Sequence, residues 1–125
     1  MRWKLLVVVM VALSGCAGPT AYTRWVLGTG LVPNQTKNFV SVSSPSDGIY
    51  CLMPAPGIDP TKTVAFGAYA ADGVPANNVG RPPFVQVVYG LHDCPPGQYE
   101  VVTGTPNPDG TINIHKLNGF SVLVP

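Results

Sequence analysis

The sequence predicts an all-β protein, a small antiparallel sandwich of about seven or eight short strands behind an N-terminal signal peptide. Three observations predict it. From Thr20 onward the chain breaks into short β-rich runs, each bounded by Gly, Pro, Asn or Asp. Several of these runs alternate with period two, as a strand buried on one face does. No stretch past the signal sustains a 3.6-residue apolar period, and 14 prolines in 125 residues would interrupt most helices.

Taken in order, the predicted strands are residues 22–27, 38–43, 48–53, 63–70, 84–90, 98–103, 111–116 and 119–124. In 111–116, Ile112 and Ile114 share one face while Asn113 and His115 share the other. In the last run Phe120, Val122 and Val124 point one way, and Ser121 and Leu123 the other. Phe84-Val85-Gln86-Val87-Val88-Tyr89 is nearly all apolar and is predicted as a central strand, covered on both faces. Ser44-Pro45-Ser46-Asp47-Gly48 and Asn107-Pro108-Asp109-Gly110 are built for reversal, because Pro presets φ and Asp-Gly tolerates tight turns. Lys116-Leu117-Asn118-Gly119 predicts a hairpin around Asn-Gly. Longer connections lie at 54–60, 72–83 and 91–97. There is no internal repeat.

Ahead of the strands, Arg2 and Lys4 precede an apolar run over residues 5–13. That run is too short to cross a bilayer as a helix, which takes ~20 residues. Positive end, apolar stretch and small-residue site follow the order of a secretory signal. The ending Leu13-Ser14-Gly15-Cys16 resembles the lipobox of bacterial lipoproteins. The resemblance implies cleavage before Cys16 and acylation of its sulfur and new amino terminus. It implies a signal peptide over 1–15, a lipidated tether over 16–21 and a single domain over 22–125. The domain would be anchored to the cell membrane or outer membrane by lipid such as palmitate, facing the periplasm or the exterior. In a bacterium with two membranes, Ala17 after the cysteine resembles the outer-membrane sorting pattern.

With Cys16 lipidated on this reading, Cys51 and Cys94 remain, and an exported chain meets oxidising conditions. A disulfide between them is expected. It would close a loop of about 42 residues and stabilise the fold by roughly 4 kcal/mol. A metal site built from these two and His92 or His115 lacks C-x-x-C or H-x-x-x-H spacing. No metal and no cofactor is expected. Residues 48–52, 94–103 and 120–125 also resemble small secreted bacterial β-domains of unknown function. That resemblance supports the pairing and implies no activity.

Past the signal, five basic residues (Arg24, Lys37, Lys62, Arg81, Lys116) face six acidic ones (Asp47, Asp59, Asp72, Asp93, Glu100, Asp109). Charge this sparse gives no nucleic-acid footprint, which needs a clustered basic face. His92-Asp93 is the one place where a base adjoins a carboxylate, but neighbours on a strand point to opposite faces. The surrounding Asp93-Cys94-Pro95-Pro96-Gly97 reads as a disulfide-pinned turn. His115 reads as a solvent-facing strand residue. No G-x-S-x-G elbow is present, and Gly28-Thr29-Gly30 lacks phosphate-loop spacing. Only Glu100 among the carboxylates falls in a predicted strand; the aspartates sit in or beside turns, where they cap backbone. Paired carboxylates for glycoside hydrolysis are not indicated.

The chain is therefore expected to be an envelope lipoprotein and not an enzyme, with a structural or protein-interaction role. The alternative is a ligand-binding or adhesive module for envelope glycan or a surface partner. A phage-exclusion lipoprotein and a small envelope hydrolase rank lower. Five tyrosines, four phenylalanines and Trp25 spread over the strands chiefly as core. Trp25, beside Arg24 and near the lipidated end, is the aromatic expected to reach the membrane interface. The long connection over 72–83 offers Asn77, Asn78 and Arg81 as further binding candidates.

Overall fold

The computed structural model describes residues 18–70, 83–90 and 93–125; Cys16, Asn77, Asn78, Arg81 and His92 lie outside them. The described chain is all-β, with two antiparallel sheets packed together. The first sheet holds β1 (Ala21–Val26), β2 (Gly30–Leu31), β5 (Phe66–Tyr69) and β9 (Gly119–Val124), in the order β2-β1-β9-β5. The second holds β3 (Phe39–Ser46), β4 (Ile49–Pro54), β6 (Phe84–Val88) and β7 (Tyr99–Pro106), in the order β3-β4-β7-β6. A short β8 (Ile112–Ile114) pairs with the end of β7.

Period-two alternation decides which side chains meet between the sheets. Ala21, Thr23 and Trp25 of β1 are buried, and so are Phe120, Val122 and Val124 of β9. Opposite them lie Tyr50 and Leu52 of β4 with Tyr99 and Val101 of β7. The core is knit by aromatic contacts, Tyr50 against both Trp25 and Phe120, and Phe39 edge-on to Tyr99. Gly67 of β5 lets the sheets close here, since a Cβ on it would sit 2.8 Å from Val85 Cγ1 of β6. Nearly all of β7 is buried, on both faces.

Two of the three predicted reversals form. Asp47-Gly48 joins β3 to β4, with Ser46 opposite Ile49, and Gly48 takes a left-handed φ of 79°. Residues 107–110 join β7 to β8, with the Gly110 amide donating to the Asn107 carbonyl at 3.1 Å. The third does not. Lys116–Gly119 is a crossover between sheets, because β8 pairs with β7 while β9 pairs with β1 and β5. Leu117, 4% exposed, is pulled into the core there, which a two-residue hairpin tip would forbid.

One further expectation is corrected, and one strand is added. The apolar run at 84–90 is not a central strand; among the described residues β6 is the last strand of its sheet, and β7 takes the central place. Val85 and Val87 of β6 pack against the core, whereas Gln86 is exposed. Gly28-Thr29-Gly30 turns β1 into the unpredicted β2, with the Thr29 amide donating to the Val26 carbonyl. A two-residue strand is too short to carry a period.

Candidate functional site

The chain enters the domain at Ala21, and the end of the sandwich where it does so is the proximal end. There β1, β3, β5 and β7 begin and β4, β6 and β9 finish, as the pairings of Tyr22 with Leu123, Phe66 with Leu123, Phe39 with Pro54 and Leu52 with Tyr99 require. The segment leading in is fastened to the domain. Lys37 Nζ donates to the Pro19 carbonyl at 2.9 Å, and Asn38 Nδ2 to the Thr20 carbonyl at 2.8 Å. Asn38 itself holds a left-handed φ of 60°, which Asn tolerates better than most residues, and so turns the chain into β3.

Cross-strand partners share a face, so Tyr22, Leu123 and Phe66 form one row across β1, β9 and β5 on the outer side of the first sheet. All three side chains are exposed. The next row is Arg24, Ser121 and Ala68. Together the rows floor an open groove of about 680 Å³, bounded on one side by the 3₁₀ turn Pro33–Gln35. Thr36 Oγ1 donates to the Val32 carbonyl and therefore accepts from Thr23 Oγ1, which pins that turn to β1. Arg24 Nη1 donates to Gln35 Oε1 across the rim at 3.4 Å.

Exposed apolar side chains are unevenly placed. Of the ten large exposed hydrophobics among the described residues, seven stand at the proximal end: Tyr22, Val40, Met53, Val64, Phe66, Tyr89 and Leu123. Leu27, Ile112 and Ile114 are at the far end. Single exposed apolars are ordinary on a protein surface, but their collection at one end is not.

The Cys51–Cys94 disulfide forms as expected, with Cα atoms 5.4 Å apart. It folds the chain before β7 back onto the outer face of the second sheet. Glu100 lies under that fold, paired with Cys51 on one side and Val88 on the other, and only 1% exposed. A hollow of about 120 Å³ beside it is lined by Tyr89, Cys94, Pro95, Pro96 and Gln98.

The remaining polar groups serve turns. Asp59 accepts from the Thr61 hydroxyl and amide, and Asp109 from those of Thr111; these bonds hold both carboxyls below their ordinary value. Asp47 accepts from the Lys116 amide at 3.1 Å. His115 is not the solvent-facing strand residue expected, being half-buried and outside the strand. It follows β8, with Nε2 3.0 Å from Thr105 Oγ1 and Nδ1 2.8 Å from the Lys116 carbonyl. Burial, then the charge of Asp47, pushes the Tyr50 phenol up to about 12. Among the described residues no three His, Cys, Asp or Glu side chains gather as metal ligands would, and no helix is long and apolar enough to cross a membrane.

Of the sequence candidates, Trp25 is corrected: it is 8% exposed and stacked on Phe120, so its indole is core and presents nothing to a membrane or ligand. Asn77, Asn78, Arg81 and the lipidation candidate Cys16 fall outside the described residues. The row Tyr22–Leu123–Phe66 is not among the sequence candidates. The sequence signals only the place of Tyr22 in it, through the parity of β1: if Arg24 faces out, Tyr22 does too, and Trp25 faces in. No family model, no curated protein and no solved structure matches the chain.

Proposed function

We propose that the chain is a lipid-anchored protein of the bacterial envelope, held at the membrane through Cys16, with a non-enzymatic structural or protein-interaction role. The observation that carries this reading is the order of residues 1–16: Arg2 and Lys4, then the apolar run, then Leu13-Ser14-Gly15-Cys16. The Cys51–Cys94 bridge supports it, since disulfides persist in oxidising compartments outside the cytosol. The short lead-in also supports it, because a chain fastened at Pro19 and Thr20 keeps the domain beside its anchor. The interaction role is favoured over catalysis by how the polar groups are used. His115 is tied to Thr105 and backbone, and Asp59 and Asp109 are tied to their own turns. A nucleophile activated by a base needs such groups aimed at one another.

The anchor is tested by metabolic labelling with a fatty acid. Label should enter the wild-type chain and be absent from Cys16→Ser. Equal labelling of the two would overturn the reading.

A further inference from the structure

We propose that the proximal end of the sandwich lies against the lipid bilayer, with Tyr22, Leu123 and Phe66 seated among the headgroups; this rests on the lipid anchor at Cys16. Three observations meet here. The first is the gathering of exposed apolar side chains at the proximal end, where seven of the ten among the described residues stand. The second is the row itself, in which three adjacent strands present Tyr22, Leu123 and Phe66 side by side on one exposed face. A flat apolar row with a tyrosine is the chemistry that partitions into a headgroup region, where one end of a side chain is wet and the other is not.

The third observation is chain length. The Pro19 and Thr20 carbonyls accept from Lys37 and Asn38, so the lead-in lies along the domain up to Pro19. From Cys16 to Pro19 the chain reaches at most about 11 Å, taking ~3.6 Å per residue. Acyl chains on Cys16 enter the bilayer, so the proximal end is kept within that reach of its surface. The row begins at Tyr22, one residue into β1. A lipid surface is therefore the occupant that the covalent geometry delivers, ahead of any diffusing partner.

Charge adds little. The proximal loops carry Lys37 and Lys62 against Asp59 and Asp93, well short of the clusters of about 4–8 basic residues that hold anionic membranes. The contact should accordingly be indifferent to anionic lipid.

The test uses full-length lipidated protein in phosphatidylcholine vesicles containing doxyl-labelled lipid. Single variants Tyr22→Cys, Phe66→Cys and Leu123→Cys carry an environment-sensitive fluorophore. Thr29→Cys and Asp109→Cys, at the far end, serve as controls. The target positions are exposed, and an intact Cys51–Cys94 bridge reports folding in each variant. Emission at 22, 66 and 123 should be quenched several-fold by the lipid label and shifted to the blue, with 29 and 109 little changed. Adding phosphatidylserine should not deepen the quenching. Equal, weak quenching at all five positions in protein that incorporates fatty acid overturns the docking and leaves the anchor standing. Strong quenching at 29 and 109 overturns the orientation. A row shielded from aqueous iodide yet untouched by the lipid label would mean protein covers it, a second copy included, and overturns the lipid assignment. Failure to incorporate fatty acid removes the anchor and the docking with it.

Discussion

Trp25 of β1 stacks on Phe120 of β9, ring centroids 5.2 Å apart and planes 13° from parallel, and Tyr50 of the opposite sheet closes on both rings. The three rings join the two sheets at a single place. Their burial therefore stabilises the sandwich and not merely one hairpin.

Truncating Trp25 should show this directly. Trp25→Ala is expected to lower unfolding free energy by about 3–5 kcal/mol, measured by urea titration. Trp25→Phe should lose much less, since a ring still meets Phe120. A loss below about 1 kcal/mol for the alanine variant would mean that the indole is peripheral.

Tyr50 is buried more deeply than Trp25, at 2% exposed, yet its hydroxyl has no hydrogen-bond partner among the described residues. A buried unsatisfied hydroxyl costs about 1–3 kcal/mol. Tyr50→Phe should therefore be neutral or stabilising by up to about 1 kcal/mol. It should also remove a late step in the alkaline phenolate titration, because Tyr50 is held up to about 12. The sign follows from the raised folded value. Tyr50's contribution is complete below the ordinary value of 10.0 and is lost as pH rises from there through about 12. If wild type and Tyr50→Phe lose stability identically over that range, the phenol is not the source.

Much of the fold was legible because period two is a local property. The faces of β9 were readable from Phe120, Val122 and Val124, all of which are buried. The hairpins at Asp47-Gly48 and Asp109-Gly110 were readable because turn chemistry is local as well. Pairing order was not. Asn118-Gly119 has hairpin chemistry, but Leu117 gains more by entering the core, and the chain crosses between sheets instead. The apolar run of β6 reads as a central strand because burial by the other sheet and burial by a neighbouring strand look alike in composition. At the candidate site, Trp25 taken alone reads as an amphipathic side chain next to Arg24. Adjacency on a strand argues the opposite, since neighbours face apart and an outward Arg24 sends Trp25 inward. Tyr22, Leu123 and Phe66 come from three strands far apart in sequence, and no local pattern could have joined them.

The disulfide should carry a large share of the stability. It links β4 to the segment before β7 across 43 residues, a loop whose closure is worth roughly 4 kcal/mol in chain entropy. The double variant Cys51→Ala/Cys94→Ala should unfold at lower urea by about that amount, which repays measurement in exported protein. Exported wild type should yield no free thiol at either position. Free thiols at both would refute the bridge.

Acid should weaken two turns in a defined window. Asp59 and Asp109 are lowered below 3.8 by bonds from Thr61 and Thr111, side chain first and backbone second. Each contributes stability that is present above the unfolded value and lost as pH falls through the lower folded one. Asp59→Asn/Asp109→Asn should therefore flatten the acid limb of the stability curve below about pH 4. The midpoint of unfolding at neutral pH should fall modestly, and an unchanged acid limb would show that other carboxylates govern it.

Gly48 offers the sharpest test of how the far end is built. Its φ of 79° disfavours any side chain, and a Cβ there would sit 2.7 Å from the His115 amide nitrogen and 2.8 Å from Ile114 Cγ2. The β3–β4 turn and the exit from β8 thus touch backbone to backbone, with Asp47 accepting from Lys116 beside them. Two separate penalties follow, left-handed strain of about 1–2 kcal/mol and a clash with main chain that cannot swing aside. Gly48→Ala should carry both and lower stability by more than about 2 kcal/mol in urea unfolding. Gly48→Asn relieves part of the strain, because Asn visits left-handed φ more readily, but keeps the Cβ. It should remain strongly destabilised. Recovery of near wild-type stability in the Asn variant would show that conformation alone, and not the close approach of His115, demands glycine at this position.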